Sequence, residues 1–225
     1  MKNIEEWVVL PTTWIEEGRL KKFQWDTHGS DGTAALMVLI VIAQHADHDG
    51  VARMTYDDIQ AATGLSRTKI ANGLGILTSG KRRLLELQGQ STYALTNYAR
   101  EEGGWAKLPA GRMYQKNNVP AFHAFHLRSE KELVALKLYL TFVARRDNRT
   151  NMAHITYDQI VEYAGIVRGA IKPGITLLVM HGLVHVEQFK SSVSERGTAN
   201  AYRFPHLNPY QHMGTNGRWL SEYQL

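Results

Sequence analysis

The feature that most constrains the fold of this chain is an internal repeat. When the sequence is shifted by 101 positions, residues 35–78 align with residues 136–179 without a gap, and 12 of the 44 aligned positions are identical. Average composition supplies roughly one identity in sixteen positions, so the match is several times what chance gives. A repeat of this length indicates that the chain builds one supersecondary unit twice.

The repeat divides the chain into two predicted units. Upstream of it, the segment WVVLP at 7–11 matches WAKLP at 105–109, here at a shift of 98 positions. We therefore predict a first unit over residues 1–103 and a second over residues 104–207. A pair of glycines marks the junction between them.

An aromatic C-terminal tail, residues 208–225, follows the second unit. It contains Trp219, Leu220 and Tyr223. Unstructured tails seldom carry so many large apolar side chains. We expect these residues to dock on the chain's own surface, on a second copy in a homodimer, or on a protein partner.

Both units are predicted to contain the same elements in the same order. Each begins with two short extended segments, the second of which is KKFQW at 21–25 or AFHAFHL at 121–127. A long apolar helix follows at 33–46 and at 130–146. Two shorter helices and a two-stranded hairpin complete each unit.

The junction between the two shorter helices carries the clearest local signals. Thr55 and Thr156 are predicted to cap the first of these helices, because a threonine oxygen accepts a hydrogen bond from a free helix amide. Gly64 and Gly165 come just past its end, where glycine takes the left-handed conformation at little cost. In the first unit the next helix is predicted to start at Ser66, and apolar residues then recur at helical spacing.

The order of helix, helix, glycine turn, helix and hairpin resembles a winged helix-turn-helix domain. The runs that carry the resemblance are MTYDDI…TGLSRTKIANGLGIL and ITYDQI…AGIVRGAIKPGI. They are similar to the pattern T-x-x-x-I-x-x-x-x-G-[LI]-[ST]-R-x-x-[IV] of winged-helix transcription regulators and of plasmid or phage replication proteins. The resemblance implies a mainly α fold with small antiparallel β-hairpins, of the α+β class. It also implies two tandem winged helix-turn-helix domains that arose by internal duplication.

The first unit is expected to read DNA bases. In a helix-turn-helix protein the second helix of the motif lies in the major groove. Arginine and lysine can pair with guanine there, and asparagine can pair with adenine. The predicted DNA-binding residues of this unit lie at the start of the helix and on its outward face: Ser66, Arg67, Thr68, Lys69 and Asn72.

The second unit has different residues at the same positions. Arg168 is shared with the first unit, and Lys172 lies beside the equivalent face. Val167 stands where the pattern has a serine or threonine cap. Pro173 lacks an amide hydrogen, so it indicates either a late helix start or a kink. We therefore expect the two units not to read the same half-site.

Charge also separates the two units. Residues 1–103 hold 11 basic against 13 acidic side chains, a net of −2, whereas residues 104–225 hold 15 against 8, a net of +7. Contacts of basic side chains to phosphate give affinity without sequence preference. We expect the first unit to read sequence and the second to supply much of the electrostatic attraction. The predicted phosphate-contacting residues lie in or just before the hairpins at 83–98 and 182–204: Lys81, Arg82, Arg83, Lys190, Arg196 and Arg203.

These observations predict a sequence-specific protein that binds double-stranded DNA and has no enzymatic activity. It would be a transcription regulator or the replication initiator of a plasmid or phage-type element. The alternative is a tandem winged-helix module for protein–protein contacts, a scaffold of chromosome-organising or replication complexes. The absence of cysteine and of any long apolar run predicts a cytoplasmic, nucleoid-associated protein with no membrane contact.

Two weaker patterns point to other chemistry. The segment GILTSGK at 75–81 spells most of a phosphate-binding loop, but Arg82 stands where serine or threonine would bind magnesium. Four residues after the first long helix could bind a hard metal ion: His45, Asp47, His48 and Asp49. The aligned residues of the second unit include two arginines, which cannot form an equivalent site. We therefore expect no cofactor, no metal and no catalytic residues.

Overall fold

Helices dominate the fold, and the strands form small antiparallel sheets. The computed structural model describes residues 4–80, 83–98, 101, 103–190 and 198–207. Helices account for 48% and strands for 20% of the structure. This is the α+β class that the sequence predicts. The C-terminal tail lies outside the described residues, so its docking stays a prediction.

The described residues form eight α-helices, two short 3₁₀ helices and nine strands. The α-helices are α1 (Thr13–Glu16), α2 (Trp25–Gln44), α3 (Tyr56–Thr63), α4 (Arg67–Thr78), α5 (Pro120–His123), α6 (Glu130–Ala144), α7 (Tyr157–Ala164) and α8 (Arg168–Met180). The 3₁₀ helices are Arg19–Lys22 and Gly111–Met113. The strands are β1 (Trp7–Pro11), β2 (Val51–Arg53), β3 (Leu85–Gly89), β4 (Thr92–Leu95), β5 (Trp105–Pro109), β6 (Arg146–Asp147), β7 (Met152–His154), β8 (His185–Lys190) and β9 (Thr198–Arg203).

The strands pair in three antiparallel sheets. The hairpins predicted near the end of each unit are confirmed as β3–β4 and β8–β9. The short strand β2 joins the first hairpin beside β4, and β7 joins the second beside β9, with β6 outside β7. These additional strands have only two or three residues, too few for a period of two to show in the sequence. The third sheet is β1 paired with β5.

The prediction of extended segments at 21–25 and 121–127 is wrong. The first overlaps the 3₁₀ helix Arg19–Lys22, and the second overlaps α5. Pro120 occupies the first turn of α5, where its fixed φ and missing amide hydrogen favour a helix start. Both segments therefore bring compact turns, and not strands, against the core.

The predicted helix caps are confirmed. The Thr55 Oγ1 accepts a hydrogen bond from the Asp58 amide, and the Asp58 carboxylate accepts one from the Thr55 amide at 2.8 Å. Thr156 makes the same reciprocal pair with the third residue of its helix. Gly64 and Gly165 follow with φ values of 74° and 61°. Each glycine ends its helix in the left-handed conformation that other residues adopt only at a cost.

The glycine turns set the angle between consecutive helices. Residues 64–66 join α3 to α4, and residues 165–167 join α7 to α8. The axes of α7 and α8 differ in direction by 94°. Perpendicular helices joined by a turn of three residues are typical of the helix-turn-helix geometry.

The long apolar helix α2 starts earlier than the sequence predicts and is broken near its start. Gly29, with φ 51° and ψ −137°, interrupts it. That backbone conformation is the mirror image of extended chain, which only glycine adopts readily. The apolar part after the break is buried from Gly32 to Gln44. Among the described residues no single helix is long and apolar enough to cross a membrane, and α7 and α8 reach that length only as a bent pair.

The two halves of the chain are joined by a pairing that is symmetric. Trp7 lies opposite Pro109, and Pro11 lies opposite Trp105. Since WVVLP and WAKLP are equivalent segments, exchanging the two strands leaves the pairing register unchanged. Such a register is that of an approximate two-fold axis. In addition, α2 packs against α6, and most of the buried apolar residues of both halves form one continuous core.

Each half also covers the glycine turn of the other. A Cβ atom at Gly64 would lie 3.1 Å from the His123 ring, and the His123 Nε2 lies 2.9 Å from the Ala61 carbonyl oxygen. On the opposite side a Cβ at Gly165 would lie 2.8 Å from the Lys21 side chain. The halves are therefore interlocked, although the predicted boundary at residues 103 and 104 stays a prediction.

Gly73 and Gly174, which are equivalent in the repeat, lie where α4 and α8 cross the two core helices. A Cβ on Gly73 would lie 3.0 Å from the backbone nitrogen of Ala35 and 3.1 Å from its Cα. A Cβ on Gly174 would lie 2.7 Å from a methyl group of Leu138. The absence of a side chain therefore sets how closely α4 approaches α2.

We expect Gly73→Ala to lower the free energy of unfolding by about 1–3 kcal/mol, because the backbone of a buried helix cannot move away. Gly75, in the same helix, is the matched control, since no atom lies within 4 Å of its added Cβ. Gly75→Ala should raise the free energy of unfolding by about 0.5–1 kcal/mol through helix propensity alone. Urea titrations of both variants measure this. Equal stability of Gly73→Ala and the parent protein would contradict the close packing.

A buried lysine lies between the halves. Lys137 is 4% exposed, and its Nζ donates a hydrogen bond to the Phe23 carbonyl oxygen at 3.0 Å. Burial lowers the pKa of Lys137 to about 8, against a smaller opposing effect of Glu130. The repeat places the buried Leu36 at the equivalent position. The charged form of Lys137 therefore opposes folding.

Because the pKa of Lys137 is lower in the folded protein, the unfolded chain holds an extra proton above pH 8. Stability should therefore rise with pH between about 8 and 10, by as much as about 3 kcal/mol. We expect Lys137→Leu, which copies Leu36, to lack this rise. Denaturant titrations at pH 7, 8, 9 and 10 measure it in both proteins. Parallel curves for the two would rule out Lys137 as the titrating group.

Candidate nucleic-acid interface

The helix α4 separates a buried apolar face from an exposed polar one. Ile70, Leu74 and Leu77 are buried and pack towards α2. Ser66 caps the helix, and its Oγ accepts a hydrogen bond from the Lys69 amide. Four of the five predicted DNA-binding residues of this unit are exposed: Ser66, Arg67, Thr68 and Asn72. The fifth, Lys69, is half-buried.

The shared arginine of the repeat is engaged with the preceding helix. The Arg67 Nη1 lies 2.6 Å from the Asp57 Oδ1, and the guanidinium lies 5.8 Å from the centre of the Tyr56 ring. Arg168 makes the same ion pair and the same cation–π contact in the second half. The Arg67 side chain is still 65% exposed. An exposed pair of this kind is worth about 1 kcal/mol or less, so Arg67 can exchange Asp57 for a phosphate.

Lys69 and Asn72 meet a single carboxylate from α2. The Lys69 Nζ lies 2.5 Å from the Asp31 Oδ1 and donates a second hydrogen bond to the Ser30 Oγ, also at 2.5 Å. The Asn72 Nδ2 donates to the Asp31 Oδ2 at 2.9 Å. Asp31 therefore ties the polar face of α4 to the start of the core helix.

The helix α8 exposes apolar residues at its two ends, Val167 at the start and Val179 and Met180 at the finish. Val167 and Met180 are 77% and 73% exposed, and Val179 is 40% exposed. Pro173 lies inside α8, so the alternative of a late helix start is wrong. Between its ends α8 exposes two cations, Arg168 and Lys172, while Ala170 and Pro173 stand at the positions of Lys69 and Asn72.

The basic residues of the hairpins are only partly placed. Arg83 is paired with Glu86 at 2.5 Å on the surface. Arg203 forms an ion pair with Glu187 across β8 and β9, and it donates a hydrogen bond to the Thr150 carbonyl oxygen at 3.1 Å. Arg203 therefore stabilises the base of the second hairpin and is mostly covered. Three of the other predicted residues lie outside the described residues: Lys81, Arg82 and Arg196. The side chain of Lys190 also lies outside the description.

The segment at 75–81 does not have the geometry of a phosphate-binding loop. Such a loop links a strand to a following helix. Here α4 runs to Thr78, and Gly80 follows the helix with φ 77°. The helix ends at Ser79, whose backbone is extended, before Gly80 is reached.

The acidic turn after α2 has a structural explanation. The Asp47 Oδ1 accepts hydrogen bonds from the amides of Asp49 and Val51, both at 3.0 Å. In the second half the Asp147 carboxylate accepts hydrogen bonds from the amides of Arg149 and Thr150. Asp147 is thus the structural counterpart of Asp47, although the sequence alignment pairs Asp47 with Asn148. Ligand atoms of Asp47, His48 and Asp49 lie within 4.8 Å of one another. The turn accounts for the carboxylate of Asp47 without a metal ion.

Sequence reasoning misses the acidic partners of the basic residues. The repeat does contain a signal for two of them, because Tyr56, Asp57 and Arg67 are identical in the second half at a shift of 101. Three linked identities on two helices indicate one contact between those helices. For Asp31 the sequence contains no such signal, since its aligned residue, Glu132, binds backbone amides instead.

The two helices α4 and α8 differ in their caps, which allows a matched test. Val167 makes no side-chain cap, and its backbone already has the extended conformation that a cap residue needs. We expect Val167→Ser to raise the free energy of unfolding by about 1 kcal/mol, and Ser66→Val to lower it by a similar amount. Denaturant titration of the two variants measures both changes. Loss of stability in Val167→Ser would show that the exposed valine is packed after all.

Comparison with known proteins does not assign this chain to a family. No family model matches it, and no curated protein matches it. The case for a function therefore rests on the residues and contacts described above.

Proposed function

We propose that this protein binds double-stranded DNA sequence-specifically, through two tandem winged helix-turn-helix domains, and has no enzymatic activity. The proposal includes two biological uses, transcription regulation and replication initiation on a plasmid or phage-type element. The observation that carries it is the exposed polar face of α4, which follows a three-residue glycine turn and precedes a hairpin with a third strand. In a winged helix this helix enters the major groove.

The chemistry of that face suits base reading. Asn72 can pair with adenine, and Thr68 can contact either a base or a phosphate. The Arg67 guanidinium lies at the first turn of α4, where an exposed cation can reach the DNA backbone. The proposal assigns a base contact to Asn72 and a backbone contact to Arg67.

The second half has a different proposed role. At the positions of Lys69 and Asn72 it has Ala170 and Pro173, which cannot read bases in the same way, whereas residues 104–225 carry a net charge of +7. Phosphate contacts depend on charge more than on the shape of a helix face. We therefore assign most of the sequence reading to α4, and the second half supplies phosphate contacts through residues such as Lys172 and the hairpin β8–β9.

The shared core adds a geometric consequence. Because α2 packs on α6 and β1 pairs with β5, the two halves keep a fixed relation. Two DNA-contacting elements held in this way engage groove segments at one spacing. The DNA site should consequently have two parts separated by a constant number of base pairs.

A second candidate function is a module for protein–protein contacts. The exposed apolar residues Val179 and Met180 at the end of α8 favour it, because exposed apolar side chains are suited to a protein partner. In that case the chain would be a scaffold of a chromosome-organising or replication complex, with little DNA specificity of its own.

Selection from a pool of random duplexes at physiological salt separates the two candidates. DNA binding predicts an enriched two-part motif with one fixed spacing. Repeated motifs beside an origin would indicate replication initiation, and a single motif at a promoter would indicate regulation. No enrichment would reject specific DNA binding and favour the interaction module.

With the selected duplex in hand, the role of α4 can be tested directly. We expect Asn72→Ala to reduce the ratio of specific to random-duplex affinity by roughly 5- to 150-fold, the value of one bidentate base contact. Thr176→Ala, an exposed position on α8, is the control and should leave the ratio unchanged. Fluorescence anisotropy titrations give both affinities. An unchanged ratio in Asn72→Ala would remove this residue as a base reader.

A further inference from the structure

The strongest unassigned feature is the acidic residue beneath the polar face of α4. Asp31 uses both carboxylate oxygens, one for the Lys69 Nζ at 2.5 Å and the other for the Asn72 Nδ2 at 2.9 Å. Ser30 accepts a second hydrogen bond from the same Lys69 ammonium. A carboxylate is an unexpected neighbour for a surface that would face phosphate, because the two repel each other.

The position of Asp31 follows from the break in α2. Gly29 has the mirror-extended conformation, and the helix continues from Ser30 onward. Asp31 therefore lies in the first turn of the continuing helix, where the free amides of the helix end favour a negative charge. The crossing of α4 over α2 at Gly73 then brings Asn72 within hydrogen-bond distance of it.

The contact changes what Lys69 can reach. Its side chain is 33% exposed and that of Asp31 is 29% exposed, so the ion pair is partly covered. Partly covered pairs are screened less by salt than exposed ones. Lys69 is thereby neutralised and directed back towards α2, away from a phosphate backbone.

The contact also fixes the orientation of Asn72. An asparagine that pairs with adenine donates one hydrogen bond and accepts another. One Nδ2 hydrogen is bound to Asp31, which leaves the second Nδ2 hydrogen and the Oδ1 for a base edge. Without Asp31 the amide would be free to rotate and to exchange its nitrogen and oxygen positions.

The second half offers a comparison inside the same chain. There Ala170 replaces Lys69, Pro173 replaces Asn72 and Glu132 replaces Asp31. The Glu132 carboxylate is buried and accepts hydrogen bonds from the amides of His126 and Arg128. The arrangement of carboxylate, lysine and asparagine is therefore particular to the half that we assign to sequence reading.

We propose that Asp31 is a specificity-determining positioning residue of the DNA-binding surface. It withholds Lys69 from non-specific phosphate contacts and holds Asn72 in the orientation that reads adenine. This inference rests on the proposed function. Asp31 lowers the affinity for all DNA and raises the preference for the correct sequence. Other specific interfaces likewise use repulsive charges to weaken binding of the wrong partner.

The test is a double-mutant cycle on random-sequence and selected duplexes. Asp31→Asn removes the charge with little change of shape, and Lys69→Met removes the ammonium. We expect Asp31→Asn to bind random duplex about eightfold more tightly at 0.1 M salt, the gain from one released phosphate contact, and its salt slope to steepen by about 1. In the Lys69→Met background the same change should have less than a twofold effect.

Discrimination should change in the opposite direction. We expect Asp31→Asn to lower the preference for the adenine read by Asn72 at least fivefold. The matched control is Asp26→Asn, an exposed carboxylate at the start of α2. It removes the same charge and should change random-duplex binding less than twofold. Thermal melting of each variant checks that the fold is retained.

The outcomes distinguish a failure of the proposed role of Asp31 from a failure of the proposed DNA binding. If the parent protein binds no duplex, the proposed function fails. If the parent binds a selected duplex but Asp31→Asn gains nothing on random duplex, the role of Asp31 is overturned while the function stands. An equal gain in the presence and absence of Lys69 would also overturn it, because the gain would then come from charge alone.

Discussion

The pairing of β1 with β5, together with the packing of α2 on α6, is the interaction on which the rest of the structure depends. Most of the buried apolar residues of the two halves belong to one continuous cluster, so the cores of the halves are merged. The symmetric register fixes how the halves face each other. The helices α4 and α8 then pack on α2 and α6, each within its own half.

Within this frame the repeat keeps what the fold needs and changes the rest. The capping threonines, the turn glycines and the contact of Arg67 with Asp57 occur in both halves. The outward residues of α4 and α8 differ almost completely. Several of the identities between the halves thus mark structural contacts. Arg67 illustrates this, since its type suggests base reading while its partner is Asp57 of the preceding helix.

Much of the fold could be predicted from the sequence because its signals are local. A threonine cap, a glycine turn and helical spacing each depend on a few neighbouring residues. The site could be predicted only in part. Lys69 and Asn72 were visible, but Asp31 is 38 residues from Lys69 and meets it through a helix break and a close helix crossing. The contacts of His123 and Lys21 with the opposite turns are of the same long-range kind.

The mutual covering of the two glycine turns has a consequence for synthesis of the chain. The turn at Gly64 is completed by His123, and the strand β1 finds its partner only in β5. A ribosome adds about 5–20 residues per second, so the first half waits roughly 5–20 seconds for the second half to be translated. During that interval the apolar face of α2 lacks α6. Nascent chains of this protein are therefore candidates for chaperone binding until translation passes α6.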